Sequence, residues 1–231
     1  MITVNALTRV LQIKFNNALG SSFTVEDNGI QYLVSAKHVF KGIADKSIIY
    51  LQVFNDNQWK NLNAQLYFHE NNSIDIAVLK YLNNTQITPT LPITTTTNGL
   101  LYGEDVYILG YPLGLRTTEH NLGTGNPIPL IKKGVVSTIK NENGIEFLLL
   151  DVMNNKGFSG GVALTDREDK MNFLGVISGY QPYQTPVYEP TDDPNNPRET
   201  KYFIKENTGI ALIYSIKHVF EVIEKIKNDN N

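Results

Sequence analysis

The sequence predicts an all-β protein of two small packed antiparallel barrels, closed at its end by a helix. Three observations carry that expectation. Short apolar runs bounded by turn residues recur along most of the 231 residues, a proline- and threonine-rich connector splits them into two similar sets, and only the last stretch has helical periodicity. A chain of this length can bury roughly 70% of the surface its unfolded form exposes, so it needs no staples.

The first set begins with SSFTV (21–25) and IQYLVSA (30–36), which flank the turn signal Asp27-Asn28-Gly29 and read as a hairpin. SIIYLQVF (47–54), AQLYFH (64–69) and IDIAVLKY (74–81) continue it, separated by polar and Asn-rich breaks. The connector is TPTLPITTTTNGL (88–100). After it come DVYILGY (105–111), KKGVVSTI (132–139), EFLLLDV (146–152), FLGVISGY (173–180) and TGIALIY (208–214). This organisation places one lobe at 1–90, a second at 91–214 and a helix at 215–231, with all three in one functional unit.

Segment 181–207 carries Pro182, Pro186, Pro190, Pro194 and Pro197, which argues for a long loop rather than strand pairing. From Ser215, a plausible N-cap, Ile216, Val219, Phe220, Ile223 and Ile226 recur at helical spacing, and Lys225 and Lys227 suit the C-terminal end. This helix is expected to lay its apolar stripe on the second lobe.

Composition removes several function classes. Without cysteine there is no disulfide, thiolate metal site or thiol nucleophile, which fits a reducing compartment. Twenty basic against 23 acidic residues leave a formal charge of −3, so no overall positive field recruits nucleic acid. The first 20 residues do not read as a secretory signal, and no apolar run is long enough for a bilayer. The expectation is a cytoplasmic protein with no nucleic-acid or membrane partner.

Four histidines are present, His38, His69, His120 and His218, in no familiar metal-ligand spacing. His38, in YLVSAKHVF, stands where a strand gives way to a turn. An isolated histidine there serves catalysis or simply structure. Asp75 opens an apolar strand, so it either faces water or is buried to orient another group. Ser159 lies in KGFSGG (156–161), which reads as a glycine-rich turn or as a nucleophile flanked by amides free to face a substrate oxygen. His218 lies within the helical stretch and can face solvent there.

Taken in order, SAKHV, IDIAVL and KGFSGG resemble the His, Asp and Ser motifs of the chymotrypsin-like (trypsin-like) serine proteases. The chain is especially similar to bacterial trypsin-like and HtrA-like protease domains. GSSFTV (20–25), GYPLG (110–114), KGVVSTI (133–139), DVMNNKGFSGG (151–161), GVISGY (175–180) and GIALIYS (209–215) extend the resemblance over nearly the whole chain from residue 20. The 16 residues after Ser215 are too few for a following PDZ domain.

The resemblance implies two Greek-key barrels of chymotrypsin-like type with the site between them. His38 would be the general base, Asp75 its orienting carboxylate, Ser159 the nucleophile, and the Gly157 and Ser159 amides the oxyanion hole. The implied activity is a serine endopeptidase acting on protein or peptide substrates through an acyl-enzyme, with no metal or organic cofactor. The specificity pocket would fall at Met153, Ser178, Gly179, Tyr180 and Gly209. Met153 carries no charge to match a basic side chain, which favours an apolar P1 residue. The Pro-rich segment would wall or cover this cleft.

Two positions depart from the family pattern. Lys37 precedes His38 where a small residue is usual, and Phe158 precedes Ser159 where Asp or Asn is common. No acidic residue stands before Ser159 to receive a cleaved N-terminus, so activation by N-terminal cleavage is not expected. The alternative function is a catalytically latent or inactive protease-like module that scaffolds, or is switched on by, a regulatory protein partner.

Overall fold

A computed structural model describes residues 1–83, 86–88, 91–121, 126–167, 170–193 and 195–229. After a short helix α1 (Val4–Thr8), six strands follow: β1 (Val10–Phe15), β2 (Ala18–Asp27), β3 (Ile30–Ser35), β4 (Ile48–Asn55), β5 (Gln58–Phe68) and β6 (Ala77–Tyr81). They close into a barrel in the order β1-β2-β3-β6-β5-β4, all pairs antiparallel. Leu11, Ile13 and Phe15 of β1, Leu33 of β3 and Ala77, Leu79 and Tyr81 of β6 fill its interior. The intervening Val10, Tyr32, Val34 and Val78 join a second apolar cluster on the outside. IQYLVSA and IDIAVL are therefore apolar at nearly every position because both faces of these strands are covered.

The second set comprises β7 (Thr94–Thr95), β8 (Asp105–Gly110), β9 (Thr117–Asn121), β10 (Pro127–Ile128), β11 (Leu130–Glu142), β12 (Ile145–Asp151), β13 (Val162–Arg167), β14 (Lys170–Glu189) and β15 (Arg198–Ser215). β9 and β10 form a separate two-stranded ribbon; the others make a seven-stranded sheet in the order β13-β8-β11-β12-β15-β14-β7. The expectation of two closed barrels is thus corrected to one barrel and one seven-stranded sheet. The reason lies in β14, whose 20 residues take three neighbours where a strand of a simple closed ring takes two. It takes β13 along 170–176, β15 along 175–189 and the connector strand β7 in parallel at Asn172 and Phe173.

The Pro-rich segment is also corrected. Instead of a loop, β14 and β15 run on as a two-stranded ribbon from Pro182, opposite Asn207, to Glu189, opposite Arg198. A ribbon consists only of edges, so Pro182 and Pro186 can turn their nitrogens outward without breaking an interior ladder. Pro190 and Pro197 lie outside the two strands, and Pro194 lies outside the described residues.

Helix α2 (Ile216–Asn228) is capped by the Ser215 hydroxyl, which accepts the Lys217 amide at 3.3 Å. Its stripe does not rest on the second set alone. Ile216, Val219, Val222, Ile223 and Ile226 share one cluster with Phe23, Tyr67 and Val78 of the barrel and with Val162, Phe173 and Val176 of the sheet. Lys225 reaches Asp45 and Lys227 reaches Asp27, both in the barrel half. Because Ile223 is fully buried in this shared cluster, Ile223→Ala is expected to cost about 2–5 kcal/mol of stability in urea unfolding. A loss below about 0.5 kcal/mol, the scale of surface substitutions, would show that the helix is not part of the common core.

Candidate active site

Ser35 ends β3, and a short 3-10 turn, Lys37–Phe40, carries His38 away from it. The same turn meets the loop before β6, where the Lys37 amide bonds the Asp75 carbonyl at 3.3 Å. The Asp75 carboxylate then collects three donors. Oδ1 accepts the His38 amide at 2.8 Å, and Oδ2 accepts His38 Nδ1–H at 2.7 Å and the Ser178 hydroxyl at 2.5 Å. With Nδ1 donating, the imidazole keeps Nε2 as its free acceptor. The hydrogen bond to Asp75 raises the His38 pKa above its ordinary value, against an opposing effect of burial.

Ser159 sits in the turn between β12 and β13. Its hydroxyl donates to the Ser178 carbonyl at 3.1 Å. Ser178 therefore touches both Asp75, through its side chain, and Ser159, through its backbone. Among the described residues no hydrogen bond joins His38 to Ser159 directly. The Ser159 turn nevertheless lies against the barrel beside His38, since a Cβ on Gly160 would stand 2.2 Å from the Ser35 hydroxyl and 2.9 Å from the Ala36 amide. Gly160, with φ +84°, is there because nothing larger fits.

Four consecutive peptides of the turn are held by their carbonyls. Lys156 O accepts the Leu113 amide at 2.7 Å, Gly157 O the Ser21 hydroxyl at 2.7 Å, Phe158 O the Gly161 amide at 2.8 Å and Ser159 O the Ser21 amide at 3.0 Å. A trans peptide points its N–H opposite its C=O. The Gly157 and Ser159 amides consequently point away from these partners, and among the described residues neither donates a hydrogen bond.

The expected pocket residues are brought together only in part. Met153 is 45% exposed, and its carbonyl accepts Lys132 Nζ at 2.8 Å. Lys132 also contacts Asn155 Oδ1, and burial lowers its pKa. An ammonium thus accompanies the segment that Met153 alone marks as apolar. Asn154 Nδ2 spans to the Gly179 carbonyl at 2.6 Å, and Gly209, with φ +80°, accepts the Val152 amide at 2.8 Å. Tyr180 instead lines a cavity of about 380 Å³ with Leu149, Leu212 and Tyr214. The unusual Lys37 runs outward to Asn72, over the Phe68 ring, whereas Phe158 turns inward and is fully buried.

His218 does not face solvent. It is buried, and with His69 it converges on Glu221, whose Oε2 lies 2.6 Å from His218 Nδ1 and 2.9 Å from His69 Nε2. The other ring nitrogens, His218 Nε2 and His69 Nδ1, each accept a backbone amide at 2.9 Å, from Glu146 and Asn71. A metal-bound neutral imidazole carries a proton on its second nitrogen and needs an acceptor there. This donor set therefore fits a hydrogen-bonded clasp rather than a cation site. The side chain of His120 lies outside the described residues.

The sequence family of the trypsin-like peptidase domain matches residues 20–176. The chain belongs to that family. The peptidase domain also shares its fold with solved proteases at low identity. It is 18% identical to the active form of the Rv3671c protease from M. tuberculosis, with a TM-score of 0.59 and coverage of 96% of this chain and 82% of that one. It is 20% identical to the HtrA-type protease AlgW with tripeptide (TM-score 0.59; 96% and 61% covered) and 22% identical to the serine endoprotease from Yersinia pestis (0.58; 98% and 65%). The peptidase domain thus spans less than two thirds of those last two chains. Nothing among curated proteins matches it. Among the described residues no helix is long and apolar enough to cross a membrane.

Proposed function

We propose that this peptidase domain is a serine endopeptidase that works through an acyl-enzyme, with His38 and Asp75 supplied by residues 1–90 and Ser159 by residues 91–214. The observation that carries the reading is Ser178, which ties the Asp75–His38 pair to the Ser159 hydroxyl from one strand. On attack, the Ser159 proton passes to His38 Nε2, and the oxyanion forms against the Gly157 and Ser159 amides. His38 then protonates the leaving amine and activates water for deacylation. Asp75 stays ionised and holds the imidazole.

One observation favours the second reading, a latent binding module. The Ser159 hydroxyl bonds the Ser178 carbonyl rather than His38, so it must turn about its Cα–Cβ bond before it can attack. A fluorophosphonate separates the two. Capture at Ser159 supports the peptidase; a folded protein that captures none supports the latent module.

The raised His38 pKa fixes a pH dependence. The base must be neutral, so the acidic limb of kcat/KM is expected to have its midpoint above the ordinary histidine value of about 6.5. The stability from the pair runs the other way: it is complete below the unfolded value and is lost as pH rises through the folded one. A kinetic midpoint at or below 6.5 would exclude an Asp75-supported His38 as the base.

A further inference from the structure

We propose that Ser21 is a positioning residue that sets the oxyanion amides of the Ser159 turn, an inference that rests on the peptidase reading above. Ser21 belongs to β2 of the barrel and is completely buried. Four hydrogen bonds converge on it. Its hydroxyl donates to the Gly157 carbonyl at 2.7 Å and accepts the Tyr111 amide at 2.8 Å. Its own amide donates to the Ser159 carbonyl at 3.0 Å, and its carbonyl accepts the Ser35 hydroxyl at 2.8 Å. It is the point at which the barrel grips the nucleophile turn.

Of the four carbonyl clamps on residues 156–159, three are made by backbone amides; the Ser21 hydroxyl is the only one made by a side chain. It acts on the one glycine among residues 156–159. Gly157 has φ +103°, and glycine has more backbone freedom than any other residue. The Leu113 amide fixes the peptide plane before Gly157, the one that carries the Gly157 N–H; the Ser21 hydroxyl holds the plane after it, together with the Phe158 amide, which donates to the Asn155 carbonyl at 3.2 Å. With both planes held, Gly157 cannot swivel about its φ and ψ, and its N–H keeps one direction. Without the hydroxyl, the Gly157 carbonyl and the Tyr111 amide lose their buried partner, and the turn gains a reason to rotate towards others. When the plane after Gly157 shifts, the flexible glycine passes the movement to the plane before it, which takes the Gly157 amide away from the developing oxyanion. Ser21 never touches substrate, so its effect belongs to the transition state and not to ground-state binding.

The test compares Ser21→Ala with wild type on a peptide substrate and on a peptidyl boronic acid, which forms a tetrahedral adduct. Expected is a fall in kcat of about 10- to 100-fold, below the 10²–10³ scale for deleting an oxyanion donor outright, with KM changed less than about threefold. Boronate affinity should fall by the same factor as kcat/KM. Ser21→Cys, close in volume but a weaker donor, should recover part of the loss even if Ser21→Ala folds poorly. A kcat within about twofold of wild type, or a loss confined to KM, overturns the positioning role while leaving the peptidase reading intact. If folded wild-type protein captures no fluorophosphonate, the peptidase reading fails by itself. The clamp is then judged by amide exchange at Leu113 and Gly161, which must accelerate in Ser21→Ala; unchanged exchange overturns it.

Discussion

Ser159→Ala is expected to abolish covalent capture by a fluorophosphonate and to lower peptide turnover on the order of 10⁶-fold, the scale on which loss of a serine nucleophile acts. The fold should survive. The hydroxyl is small, its single hydrogen bond goes to a backbone carbonyl, and the turn is held by its main chain rather than by this side chain. Intact mass spectrometry after inhibitor treatment reads the first effect, and circular dichroism reads the second. Equal capture by the variant would place the nucleophile elsewhere.

The second large effect is expected from Asp75→Asn, at about 10⁴-fold in kcat/KM. The carboxylate accepts from the His38 amide, from His38 Nδ1–H and from the Ser178 hydroxyl. An amide side chain has one oxygen and an NH₂ group, so one of these donors must meet another donor. If the NH₂ faces the imidazole, the ring takes the opposite tautomer and puts its proton on Nε2, where it can no longer accept the proton of Ser159. Even with the oxygen facing the ring, the charge that stabilises the imidazolium is gone. The check is kcat/KM across pH together with fluorophosphonate capture, which should be slowed but still directed to Ser159. Rates near wild type would return Asp75 to an ordinary strand-end residue.

The candidate site was legible where its signals are local. His38 after an apolar strand, Asp75 at the head of another and Ser159 among glycines each carry their signal in five or six consecutive residues, and the fold brings their loops together. Ser178 was legible as a cleft residue, but its contact with Asp75 crosses 103 positions and leaves no local trace. Ser21 was hidden for the same reason, inside a strand whose apolar pattern explains it without further role. The inward turn of His218 needs the Glu146 amide on its Nε2 and His69 beside it on Glu221, and both lie far away in the chain. Strand counting anticipated two β-rich halves and the closed barrel of the first, but not the seven-stranded sheet of the second, since composition does not reveal that β14 takes three neighbours. Strands β1 and β13 escaped notice, the first within an N-terminal stretch read only for targeting, the second as a short run behind Gly160-Gly161.

The projecting ribbon bears on how this molecule behaves in a crowded solution. Tyr183, Tyr188, Tyr202, Phe203 and Ile204 are all at least half exposed on it, a composition that in a smooth hairpin would seed fibre growth. Its two margins are interrupted instead. Pro182 and Pro186 remove donors from one, and on the other Thr200, Lys201 and Tyr202 stand opposite the single residue Val187. The Tyr202 amide there is engaged by the Thr200 hydroxyl at 3.1 Å. Neither margin offers an unbroken row of groups to a neighbouring molecule, so the arm can carry aromatic side chains into water without templating cross-β stacking.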